Sequence, residues 1–157
     1  KQANIVDKSC FSQWFSAQFE LDGITYLTAE HYMMAQKAQL FHDDEIFDQI
    51  LKVTHPNEAK QLGRKVQNYD EQVWKEKRFN IVLQANLAKF SQHSELRDFL
   101  IATHDRILVE ASPVDSIWGV GMAQDHLDIQ NPEKWKGLNL LGFALMQVRA
   151  QLLAQSN

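Results

Sequence analysis

YLTAEHYMMAQKAQLF, residues 26–41, is the stretch from which the rest of this chain can be read. Thr28 offers a hydroxyl N-cap, and Glu30 stands in the first turn, where a carboxylate suits the positive end of the helix dipole. Good helix formers follow. At about 100° per residue, Glu30, Met33, Met34, Lys37 and Phe41 share one face, Leu40 lies at its margin, and Gln36 and Gln39 fall opposite. An acid and an amine, two turns or roughly 10 Å apart, are therefore set into an apolar stripe. Charges are rarely taken into a fold unless they are paired or put to use. The spacing leaves two readings open. Either the two groups serve a pocket, or Glu30 only caps the helix and Lys37 reaches water along its stem.

Just upstream, FELDGITY (residues 19–26) is two short alternating runs around Asp22-Gly23, a hairpin signal. Before it, CFSQWFSAQ is aromatic and without a period, a strand or an ordered loop. Downstream, Asp43 or Asp44 caps a helix over EIFDQILKV. Thr54-His55-Pro56 ends it and starts another, with Pro56 at the first helical position. Asp70 caps the longest helix, EQVWKEKRFNIVLQANLAKF, in which Trp74, Ile81, Ala85 and Ala88 share a face with Arg78 beside them. A further helix runs from Ser94 to about Thr103. RILVEAS predicts a strand near residues 107–111, and residues 124–138 read as a polar surface excursion. Asn139 caps a last helix whose stripe is Leu141, Leu145, Val148 and Leu152. The expectation is a mainly α (α+β) fold, one domain over residues 1–157, with a small N-terminal hairpin and sheet.

Composition narrows the function. With 157 residues, 45% apolar residues and a net charge of −4 without blocks of like charge, the chain does not resemble a polyanion-binding surface. No apolar run approaches the roughly 20 residues of a membrane span. The single cysteine, Cys10, excludes an internal disulfide and fits a reducing, cytoplasmic setting. None of His31, His42, His55, His93, His104 and His126 has a partner at zinc-ligand spacing, and no P-loop, dinucleotide fingerprint or nucleophile elbow is present. No metal and no cofactor is expected.

The loop VEASPVDSIWGVGM, residues 109–122, gathers Glu110 and Asp115 with Trp118 and two glycines. Carboxylates beside an aromatic platform suit a sugar or nucleoside, the ring stacking on a base and an acid binding ribose hydroxyls or steadying a cationic sugar. The alternative is that Asp115 starts a turn and Trp118 fills the core.

TAEHYMMAQK, EAKQLGRKV, NLAKF, LRDFLIAT, VEASPVDSIWGVGM and GLNLLGFALMQVR, in this order, resemble the NADAR family, also called YbiA-like, over nearly the whole chain. The resemblance implies a YbiA-like fold and an N-glycosidase. One branch of the family hydrolyses early riboflavin-pathway intermediates, and other members remove ADP-ribose from guanine in DNA. It carries catalytic roles onto Glu30, Lys37 and Asp115, and substrate-binding roles onto Trp74, Trp118, Glu110, Arg64 and Asn139. Two departures stand out: Ser12-Gln13-Trp14 where the family has S-N-F, and Val120 where some members place Asp.

Both substrate types join an exocyclic nitrogen to the anomeric carbon of a ribose. Cleavage can run directly through an oxocarbenium-like state with an acid on the leaving nitrogen, or through ring opening and a Schiff base on Lys37. The expected partner is a small nucleotide-like substrate. The alternatives are ADP-ribosylated single-stranded DNA, or ADP-ribose held by a non-catalytic binding module.

Overall fold

The computed structural model describes residues 6–155. Backbone contacts divide the chain into two units, Lys1–Ala102 and Thr103–Asn157. The molecule is mainly helical, with one two-stranded antiparallel sheet among the described residues.

In the first unit a 3-10 turn, Lys8–Phe11, is capped by Asp7, whose carboxylate accepts from the Ser9 N–H at 2.8 Å. The CFSQWFSAQ segment is thus an ordered loop. Strands β1 (Phe19–Leu21) and β2 (Ile24–Tyr26) pair with Phe19 opposite Tyr26 and Leu21 opposite Ile24. The turn between them needs two left-handed residues, and Asp22 and Gly23 take φ of 52° and 80°.

Helix α1 (Ala29–Leu40) begins at Thr28, whose hydroxyl accepts from the His31 N–H. The stripe expected from the sequence is not what the helix shows. Every residue from 29 to 35 is buried, because α2 (Asp44–Lys52), α3 (Pro56–Gly63), α4 (Glu71–Gln92) and β2 all pack on α1. A helix enclosed from several sides has no wet face over those turns to set against a dry one. Asp43 caps α2, its two carboxylate oxygens accepting from Ile46 N at 3.1 Å and Gln67 N at 2.9 Å. Pro56 opens α3 as expected. A Cβ on Gly63 would lie 2.0 Å from Met34 Sδ, so glycine is what lets α3 approach α1.

Two buried polar groups tie this unit together. His31 Nε2 lies 3.0 Å from the Val53 carbonyl and Nδ1 2.8 Å from the Thr28 hydroxyl. The carbonyl can only accept, which assigns the proton to Nε2 and leaves Nδ1 to accept from Thr28. Burial lowers the imidazole pKa, in keeping with a neutral structural ring. Lys89, on the buried face of α4, donates to the carbonyls of Cys10 at 2.6 Å and Ser12 at 3.0 Å. Burial pulls its pKa down to about 8. The same burial pushes the Cys10 thiol up to about 11, which leaves it a packed, unreactive side chain. Helix α5 (Ser94–Ile101) closes the unit.

In the second unit, residues 106–112 form no strand, which corrects the reading of RILVEAS. Those residues have no neighbouring strand to pair with. Their backbone groups go instead to the Asn139 amide, whose Oδ1 accepts from Glu110 N at 2.9 Å and whose Nδ2 donates to Leu108 O at 3.0 Å. Residues 124–138 are turns and a short 3-10 segment, Pro132–Lys134, with Leu127 98% exposed. Helix α6 (Leu140–Gln155) buries Leu141, Leu145, Val148 and Leu152 as expected. Asn139 precedes it, but its side chain turns back to the loop rather than capping the helix.

Candidate active site

The first cluster forms where α1 meets the turn before α4. Lys37 is half-buried near the end of α1. Its Nζ lies 4.7 Å from the centroid of the Tyr69 ring and 5.7 Å from that of Trp74. Burial lowers the Lys37 pKa most, the Arg64 charge lowers it further, and Glu30 raises it. The amine is thus held in an aromatic cage with a cation and an anion acting on it in opposite senses. Glu30 is 5% exposed, and its backbone N–H donates to Gln13 O at 3.0 Å. A first-turn amide that a helix usually leaves to water is satisfied here by the segment carrying the Ser12-Gln13-Trp14 departure. Gln13 Oε1 accepts from Asn86 Nδ2 at 2.9 Å. Trp74 is buried one turn into α4, whereas Arg64, just past α3, is exposed, with Nη1 3.5 Å from Gln61 Oε1.

Sequence reasoning missed Tyr69. It follows Asn68, at φ 60°, in the turn between α3 and α4. It is 46% exposed and packs edge-on against Phe41 with ring centroids 5.4 Å apart. Its phenol pKa is raised by burial and then by Glu71, which keeps it neutral. An isolated tyrosine in a polar turn carries no periodic signal that would have found it.

The second cluster lies in the 103–157 unit. Asp115 does start a turn: Oδ1 accepts from Ile117 N at 3.0 Å and Trp118 N at 2.9 Å. The other carboxylate oxygen has no hydrogen bond among the described residues. The loop is drawn tight enough that a Cβ on Gly119 would lie 2.8 Å from Glu110 O and 2.9 Å from Asp115 O. Glu110 is half-buried, and its pKa is raised by burial first and by Asp115 second. Trp118 is half-buried as well, and Asn139 is fully buried. Asn139 spends both amide atoms on the loop backbone, so its contribution is to hold Glu110 in place.

The structure therefore brings Trp74 beside the Lys37 amine, on which Arg64 and Glu30 also act, and gathers Glu110, Asp115 and Trp118 in one loop that Asn139, just before α6, holds by its amide. Among the described residues no three His, Cys, Asp or Glu side chains stand together as a metal site, and no helix is long and apolar enough to cross a membrane.

A half-buried amine between aromatic rings, with a carboxylate acting on it, has the chemistry to add to an electrophilic carbon or to hold an anion. Residues 2–153 match the NADAR domain, and the chain belongs to that family. It is 44% identical over 148 residues to N-glycosidase R617 of Acanthamoeba polyphaga mimivirus, covering 90% of this chain and 86% of that protein. It is 35% identical over 146 residues to N-glycosidase YbiA of Escherichia coli strain K12, covering 93% and 82%. The NMR structure of E. coli YbiA superposes with a TM-score of 0.79 at 33% identity, over 99% of this chain and 84% of that one.

Proposed function

We propose that this protein hydrolyses the bond between a ribose and an exocyclic nitrogen, with ribosylamino-pyrimidine phosphates of riboflavin biosynthesis as its substrates. Its class is that of the N-glycosidases, as the names of its relatives support. The observation that carries the finer reading is Lys37. Its ammonium is disfavoured by burial and by Arg64, so a larger share of neutral amine is present near neutral pH than for a solvated lysine.

A glycosylamine in ring-opened form is an imine between the leaving nitrogen and C1′. The neutral Lys37 Nζ adds to C1′, and the electron pair of the C=N bond goes to the leaving nitrogen. Glu30 supplies that nitrogen with a proton, takes one from the added lysine nitrogen and passes it on to the leaving nitrogen, which departs as the free amine. Expulsion of the amine leaves a Lys37 iminium, whose positive charge the Tyr69 and Trp74 rings stabilise. Water adds to the iminium carbon, and collapse releases the sugar aldehyde and the free amine of Lys37. From the resemblance, Trp74 is a stacking residue and Arg64 a phosphate ligand, and Glu110, Asp115 and Trp118 carry substrate-binding chemistry in their own loop. Asn139 acts by positioning Glu110.

Borohydride added during turnover reduces the iminium and leaves the Lys37 peptide heavier by the sugar fragment. Lys37→Arg keeps the charge but forms no imine, and loses more than about 100-fold in kcat. An active Lys37→Arg enzyme without an adduct would establish the direct route, in which Glu30→Gln is the crippling change. Running the assay in parallel on ADP-ribosylated single-stranded DNA separates the small-metabolite substrate from the nucleic-acid one.

A further inference from the structure

Arg78 is not used by the mechanism above. It lies on α4 one turn beyond Trp74 and is 9% exposed. Among the described residues no hydrogen bond or ion pair reaches its guanidinium. The guanidinium nitrogens keep a small contact with water, so the fork of donors is open to an incoming anion. The nearby acids are engaged elsewhere. Asp70 spends its side chain on the N–H groups of Gln72 and Val73, and Glu71 pairs with Lys75 at 3.7 Å. The guanidinium nevertheless acts on this same cluster, since its charge lowers the pKa of the Tyr69 phenol, although burial and Glu71 more than offset it. Tyr69 in turn underlies the Lys37 amine. A guanidinium presents a planar fork of donors that matches two phosphate oxygens.

We infer that Arg78 is an anion-binding residue of the Lys37 site, taking the phosphomonoester of the ribosylamine substrate bidentately beside Trp74, whose ring faces the Lys37 amine. The inference rests on the glycosidase reading only for the identity of the sugar that carries the phosphate. It moves the main phosphate contact from Arg64, an exposed side chain, to one largely covered by the fold. A charge with little water around it gives up little hydration on binding, so its bond to phosphate is stronger than one made at the surface.

Calorimetric titration of the full chain with ribose 5-phosphate and with ribose tests this directly. The wild type is expected to bind the phosphorylated sugar at least about tenfold more tightly. Arg78→Gln abolishes that difference, and Arg78→Lys, which keeps the charge without the fork, retains only part of it. Lys75→Gln removes a positive charge from the exposed face of the same helix and leaves the difference intact. A wild type that does not distinguish the two sugars would overturn the inference. So would a preference undiminished in Arg78→Lys, or in an Arg78→Gln protein with wild-type melting. Should Arg78→Gln fail to fold, the Arg78→Lys titration decides. Failure of the glycosidase reading looks different: ribose 5-phosphate binds in an Arg78-dependent way, yet no ribosylamino-pyrimidine phosphate is turned over.

Discussion

Lys37 sits where two opposing influences can be altered one at a time. Arg64 disfavours its ammonium, and the Tyr69 ring favours it. The pH dependence of kcat/KM reports the free enzyme, so its acid limb follows the loss of the Lys37 proton on the covalent route. Arg64→Gln removes a repelling charge, raises the Lys37 pKa and moves that limb to higher pH. Tyr69→Leu removes the ring that stabilises the cation, lowers the pKa and moves the limb to lower pH by about half a unit. Shifts in the same direction for both variants would refute the assignment. At this scale the sequence was legible where a residue stood in a pattern: Glu30 and Lys37 in a helix period, Asp115 before a glycine-punctuated loop. Tyr69 was not, standing alone in a turn, and Arg78, read beside the apolar face of α4, had no role attached to its place. Asn139 was found as a residue but not by its job, because its partners lie 29 and 31 positions away.

The caps and turns of the elements were read almost to the residue from Thr28, Asp43, Pro56, Asp70 and Asp22-Gly23, each of which acts through local hydrogen bonds or a fixed φ. The misreadings, the stripe on α1, the strand at 107–111 and the helix cap given to Asn139, all depend on what packs alongside, which no local pattern encodes. The second has a measurable counterpart in α6. A Cβ on Gly142 would lie 2.1 Å from Leu108 O and 2.4 Å from Asn139 Nδ2. Glycine to alanine in a helix ordinarily stabilises by up to about 1 kcal/mol. Gly142→Ala is expected to do the reverse, costing roughly 1–3 kcal/mol in denaturant unfolding as the 108–110 backbone is pushed off the Asn139 amide. A variant as stable as the wild type would show that the loop yields without loss.

For the molecule as a whole, a net charge of −4 conceals how the charges are distributed. Lys37 stands beside the Tyr69 and Trp74 rings, Arg64 acts on its amine and Arg78 follows Trp74 by one turn of α4, so a count of acids and bases says little about where positive charge gathers. The longest-range tie described above is made by Lys89, whose carbonyl partner Cys10 is 79 positions away in the chain. That amine fastens the carbonyls of residues 10 and 12, and the carbonyl of Gln13 next in line receives the Glu30 amide. Opening motions that expose the start of α1 must therefore also loosen a contact made on α4. In deuterium exchange, the Glu30 amide is expected to be slow despite its place in a first helical turn. Substituting Lys89 by Met should speed its exchange ahead of the amides in the middle of α1, so that the residue proposed as acid and base owes its stillness to an amine on another helix, fastened to the segment before it.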